Sequence, residues 1–109
     1  MKYISTRGGV APQTFSDVLL MGLAPDGGLM MPEHYPQISA IQLNNWRNLS
    51  YHNLAFEIIS LFADDIPAED LHDLLKRTYH AEIFATPDIT PVRTLSDGIK
   101  IQALSLIHI

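Results

Sequence analysis

Thr6-Arg7-Gly8-Gly9 sets a guanidinium beside backbone N–H groups that no glycine side chain shields, which is the chemistry of an anion site. An ordinary loop following a strand would use the same residues, and the residues alone leave both readings open. Thr6 and Arg7 are thus the candidate anion- or substrate-side residues. Pro25-Asp26-Gly27-Gly28 is the second glycine-rich stretch, and it reads as a tight turn: proline fixes φ and glycine supplies positive φ. At least one of its glycines is expected at φ > 0.

The other chemistry-bearing residues are more scattered. His34, His52, His72, His80 and His108 make no HExxH, and no two lie at i, i+4, so they read as surface or helix-end histidines. Asp64-Asp65 and Glu69-Asp70 flank a helix junction, where paired carboxylates could share a proton or a cation, or simply form a solvated boundary. The serines lack a GxSxG context, and no glycine-rich loop matches a P-loop or a dinucleotide fingerprint. The absence of cysteine removes disulfides, thiolate metal sites and a Cys nucleophile.

These residues must be positioned by short elements. Tyr3 to Thr6 suggests a strand. Thr14 caps a two-turn helix with Asp17 as a weak form of capping box, Phe15, Val18, Leu19 and Leu20 as its apolar face and Gly22 as its C-cap. Leu29-Met30-Met31 reads as a brief strand stopped by Pro32. Ile41, Leu43, Trp46 and Leu49 suggest a small helix. Ser50 opens the strongest helical pattern, about Tyr51 to Ala63, and its Leu54, Ile58 and Leu61 are expected at the centre of the core, with Glu57 and Ser60 outside. Pro67 suits the first turn of a further helix whose stripe is Leu71, Leu74, Leu75 and Thr78-Tyr79, with Lys76-Arg77 at its end. Pro87 and Pro91 mark an extended segment. Ile99 to Ala103 alternates as a strand that nothing further is expected to pair or cover. The sum is an α+β domain with more helix than strand.

The chain has 109 residues, 47% of them hydrophobic and 17% charged, enough for a modest core in one domain or part of one. Its formal net charge of -5 gives no electrostatic footprint for nucleic acid or anionic lipid. MKYISTRGG lacks the apolar core of a signal peptide, and no run approaches the roughly 20 apolar residues that span a bilayer. A cytoplasmic protein with neither nucleic-acid nor membrane partner is expected.

Tyr3-Ile4-Ser5-Thr6-Arg7-Gly8, Phe15-Ser16-Asp17-Val18-Leu19-Leu20, Gly22-Leu23-Ala24-Pro25-Asp26-Gly27-Gly28-Leu29 and Pro32-Glu33 together resemble the opening of bacterial threonine synthases, in order and in spacing. The helix around Leu54-Ala55 and the segment Ile89-Thr90-Pro91-Val92 fit less specifically, and the resemblance runs to about Ala103. It implies the small, helix-rich N-terminal domain of a pyridoxal-phosphate enzyme of the tryptophan-synthase-β fold type. Such an enzyme converts O-phosphohomoserine and water into threonine and phosphate. The family's cofactor lysine lies in a Phe-Lys-Asp segment that follows the strand matching Ile99 to Ala103, and this sequence holds no such segment. Of its own lysines, Lys2 is terminal, Lys76 lies in a charged helix end and Lys100 on the polar side of an alternating strand, so none suits a desolvated Schiff-base site. The resemblance divides the chain into an N-terminal domain over 1–98 and the start of the catalytic domain over 99–105. Leu104-Ser105-Leu106-Ile107-His108-Ile109 resembles a translated sequencing adapter, so 106–109 is expected to be a non-native tail on a truncated reading frame. No catalytic, cofactor-binding or metal residue is expected in the chain. A stand-alone, non-catalytic binding or interaction domain is the alternative.

Overall fold

A computed structural model describes residues 1–79 and 92–102. The elements run β1 (Tyr3–Ser5), α1 (Phe15–Met21), β2 (Met30–Pro32), α2 (Ala40–Trp46), α3 (Tyr51–Ile59), α4 (Ala68–Thr78), β3 (Val92–Ser96) and β4 (Ile99–Gln102). This is the expected α+β mixture, richer in helix. The segment around Pro87 and Pro91, Ala103 and the 104–109 tail lie outside the described residues, as do His80 and His108.

β1 pairs antiparallel with β2 in the register Tyr3↔Pro32, Ile4↔Met31 and Ser5↔Met30. Pro32 therefore closes the ladder from within, one residue beyond the expected stop. Tyr3 also exchanges backbone hydrogen bonds with Gln13 (2.9 and 3.0 Å), which ties the loop before α1 to the opposite edge of β1. α1 starts as expected. The Thr14 hydroxyl accepts from Asp17 N–H at 3.3 Å and donates to the Asp17 carboxylate at 2.8 Å, and Gly22, at φ 75°, ends the helix. A reciprocal capping box sits instead on α2, where Ser39 Oγ accepts from Gln42 N–H (3.1 Å) and Gln42 Oε1 accepts from Ser39 N–H (3.0 Å). Pro67 is the N-cap of α4, one position before its first turn.

Burial departs from the expected order. The enclosed apolar side chains are Tyr3, Ala24, Ala63, Leu71 and Leu75. α4 is thus the best-covered helix, with Leu71 4% and Leu75 7% exposed, while Leu74 on the same expected stripe lies open. On α3, Ile58 is 37% exposed, Leu54 and Leu61 are only half-buried, and Glu57 and Ser60 are no more exposed than they are. The apolar face expected of α1 is also open: Leu19 is 67% and Leu20 88% exposed. The reason is geometric. Periodicity names the apolar face of a helix, but burial needs a second surface, and the described residues supply one to α4 and the start of β1 only.

The strand at Ile99 is paired, contrary to expectation. β4 runs antiparallel to β3 with Val92↔Gln102, Arg93↔Ile101 and Thr94↔Lys100, and an irregularity between Thr94 and Ser96 precedes the turn at Gly98. Val92, Leu95 and Ile99 remain exposed on this two-stranded ribbon.

Candidate functional site

The β1–β2 ladder carries Thr6-Arg7-Gly8-Gly9 directly against the Ala24-to-Leu29 turn, and Thr6 N–H donates to the Leu29 carbonyl at 2.8 Å. Within the turn, Gly27 N–H returns to the Ala24 carbonyl (2.9 Å) and Ala24 N–H to the Gly28 carbonyl (3.1 Å). Gly27 has φ 83°, the positive φ expected of this sequence. Gly28 is required for a different reason. A Cβ there would stand 2.6 Å from Ser5 Oγ and 2.8 Å from Thr6 Oγ1.

Asp26 is the centre of this arrangement. Its carboxylate accepts from the Ser5 hydroxyl (2.8 and 2.7 Å to the two oxygens), from Gly9 N–H (2.8 Å) and from Gly28 N–H (2.9 Å). Ser5, which is buried, also accepts from Arg7 N–H at 3.1 Å. The Ser5 hydroxyl first, then the Gly28 amide, hold the Asp26 carboxyl below the usual carboxylate range. A carboxylate with its lone pairs engaged and its pKa lowered is a poor general base, so Asp26 is fitted to fasten two loops together.

Thr6 and Arg7 stand at the edge of this fastening. Thr6 Oγ1 accepts from Leu29 N–H at 3.0 Å, and Arg7 Nη1 donates to the Asp26 backbone carbonyl at 3.1 Å. The loop does bind an anion, and that anion is the chain's own Asp26 carboxylate, seated on Gly9 N–H. Arg7 is exposed and has further N–H donors directed away from this one contact. Sequence reasoning missed the role of Asp26 because Ser5, its principal partner, lies 21 positions away and carries no local signal.

The junction carboxylates also act as fasteners. Asp65 accepts from Ser16 N–H in the first turn of α1 at 3.0 Å, so a remote side chain caps that helix. This contact with Ser16 holds the Asp65 carboxyl below its ordinary range. Asp64 pairs with the N-terminal amine. Between them the Tyr3 hydroxyl donates to the Phe62 carbonyl at 2.7 Å, and burial, reinforced by the Asp64 and Asp65 charges, raises the phenol. On the α3–α4 face, His72 Nε2 lies 2.8 Å from Asn53 Oδ1, with the Phe56 and His52 rings 5.3 and 6.0 Å away. His34 is exposed beside Glu33. Among the described residues no group of three or more His, Asp or Glu could hold a metal ion, and no helix is long and apolar enough to cross a membrane.

With this geometry in place the relationships are clear. Residues 2–79 match the family described as Threonine synthase N terminus, and the chain belongs to that family. It is 48% identical over 112 residues to the threonine synthase of Methylobacillus glycogenes, covering 96% of this chain and 24% of that protein. It is 50% identical over 110 residues to the Corynebacterium glutamicum enzyme, covering 96% of this chain and 23% of the relative. In structure it is similar to the pyridoxal-phosphate-bound threonine synthase of Brucella melitensis, with a TM-score of 0.83 and 35% identity over 99% of this chain and 23% of that one. The chain thus spans about a quarter of the length of the relatives it matches. A Schiff-base lysine needs a desolvated amine. Lys2, Lys76 and Lys100 are all exposed, so the lysines present do not fit the cofactor.

Proposed function

We propose that this chain serves as the N-terminal domain of a cytoplasmic, pyridoxal-phosphate-dependent threonine synthase. The whole enzyme would convert O-phosphohomoserine and water into threonine and phosphate, and the chain alone would catalyse nothing. The observation that carries this is the family match over residues 2–79 in a chain about a quarter as long as its relatives. The exposed lysines support the second half of the reading. The partner is a small phosphorylated amino acid, and an acidic chain offers nucleic acid no electrostatic attraction. Residues 1–98 would form the accessory domain, with 99–105 leading toward the catalytic part. The free donors of Arg7, beside Thr6, would lie on the substrate side and favour an anion there.

The test is phosphate release from O-phosphohomoserine. The chain alone, supplied with cofactor, is expected to release none and to gain no stoichiometric visible absorbance band from it. A band lost on replacing one of Lys2, Lys76 or Lys100 would overturn the non-catalytic reading. A chimera in which this chain replaces the matching quarter of the Methylobacillus glycogenes enzyme is expected to restore turnover that the shortened relative lacks. A chimera no better than the shortened relative would defeat the assignment.

A further inference from the structure

Between α2 and α3 lies a concave, apolar pocket of about 260 Å³, walled by Ile38, Leu43, Trp46, Leu49, Leu54 and Ile58. Its shape is fixed in advance. The Ser39–Gln42 capping box sets the start of α2, and Ile38 and Leu43 occupy the positions just before the cap and four residues into the helix, where apolar side chains form a staple. Both belong to the pocket wall, so the cap and the pocket are one local structure.

Arg47 is the only charged residue of the lining. Arg7 is engaged on the Asp26 carbonyl and Arg77 on Asp73 at 3.0 Å, but Arg47 has neither a hydrogen-bond nor an ion-pair partner among the described residues. A cation without a counter-charge at an otherwise apolar pocket is complementary to one class of small molecule: an apolar chain ending in a carboxylate. The volume agrees. An apolar cavity of about 150 Å³ already accepts a benzene-sized guest, and 260 Å³ leaves room for a chain of several more carbons. The apolar tail would displace water from Leu43, Leu54 and Ile58, and the guanidinium would take the carboxylate by charge-assisted hydrogen bonds.

We propose that the α2–α3 pocket is a binding site for a free medium-chain carboxylate, anchored by Arg47. It is separate from the Asp26 fastening and does not depend on the enzyme assignment. Trp46 is the chain's single tryptophan and lines the pocket, so its fluorescence reports occupancy directly. The experiment titrates the full chain with octanoate, octanol, octylammonium and acetate, each below its micelle concentration. Octanoate is expected to saturate with a Kd of about 0.1–1 mM, the range open to a ligand of this size. Octanol should bind about tenfold more weakly, and octylammonium and acetate should not saturate. Arg47→Gln, at an exposed position, should erase the advantage of octanoate over octanol, and Leu43→Glu, also exposed, should abolish saturation by either. Equal binding of octanoate and octylammonium, an unchanged octanoate Kd in Arg47→Gln, or the absence of any saturable Trp46 signal would each overturn the proposal.

Discussion

Asp26 accepts three sets of hydrogen bonds at a turn whose sequence, Pro25-Asp26-Gly27-Gly28, reads only as punctuation. The turn and the positive φ of Gly27 were legible because they follow from φ restrictions on single residues. The fastening was not, because it joins Ser5 and Gly9 to a carboxylate far along the chain. Asp26→Asn keeps the shape but replaces one carboxylate oxygen with a donor facing donors, so thermal unfolding should begin at lower temperature than in the parent. The pH dependence follows from the same contacts. A carboxyl held below its unfolded pKa, about 3.9, contributes stability that is present above that value and lost as pH falls through the lower folded value. Asp65 acts in the same direction. Unfolding midpoints measured from pH 6 to pH 2 should therefore fall steeply below pH of about 4 in the parent and less steeply in Asp26→Asn; identical slopes would show that Asp26 contributes nothing to acid sensitivity. Gly28→Ala places a methyl group against Ser5 Oγ, which cannot retreat without leaving Asp26. It should cost about 1–3 kcal/mol in denaturant unfolding, the range for forcing a group into filled space, and a neutral result would mean that Ser5 has room to turn.

Each helix was foreseen from its period and its caps, yet their ranking in the core was inverted. α3 carries the longer apolar pattern, but Leu71 and Leu75 of α4 are the enclosed leucines and Ile58 of α3 is 37% exposed. Sequence periodicity reports which side of a helix is apolar, whereas coverage depends on what packs there, and for α3 that side partly opens onto the pocket beside Trp46. Truncation separates the two helices. Leu75→Ala should lower stability by about 2–5 kcal/mol, as for an enclosed leucine, and Ile58→Ala by roughly 1 kcal/mol, because much of that side chain already meets water. Equal losses in urea unfolding would mean that α3 is as well covered as α4 and that the buried pair does not mark the core.

At the scale of the whole molecule, the enclosed apolar set is small and two of its five members are alanines, while Leu19, Leu20 and Leu23 stand open at and just beyond the end of α1. Scattered exposed leucines are ordinary on a protein surface, but three within five positions concentrate apolar area at one end of a helix. The β3–β4 ribbon adds two open edges, which can also pair with another chain. These two sources of association differ in chemistry and can be told apart. Apolar contact through α1 should weaken when Leu20 and Leu23 become lysine, a change that leaves the fold intact because both side chains already face solvent, at 88% and 71% exposure. Edge pairing through the ribbon should not respond. Light scattering against concentration is therefore expected to show association of the parent chain and a marked reduction in Leu20→Lys/Leu23→Lys, with thermal unfolding of the double variant within about 0.5 kcal/mol of the parent, as for exposed positions. Undiminished association in the double variant would move the responsible surface from the α1 leucines to the strand edges.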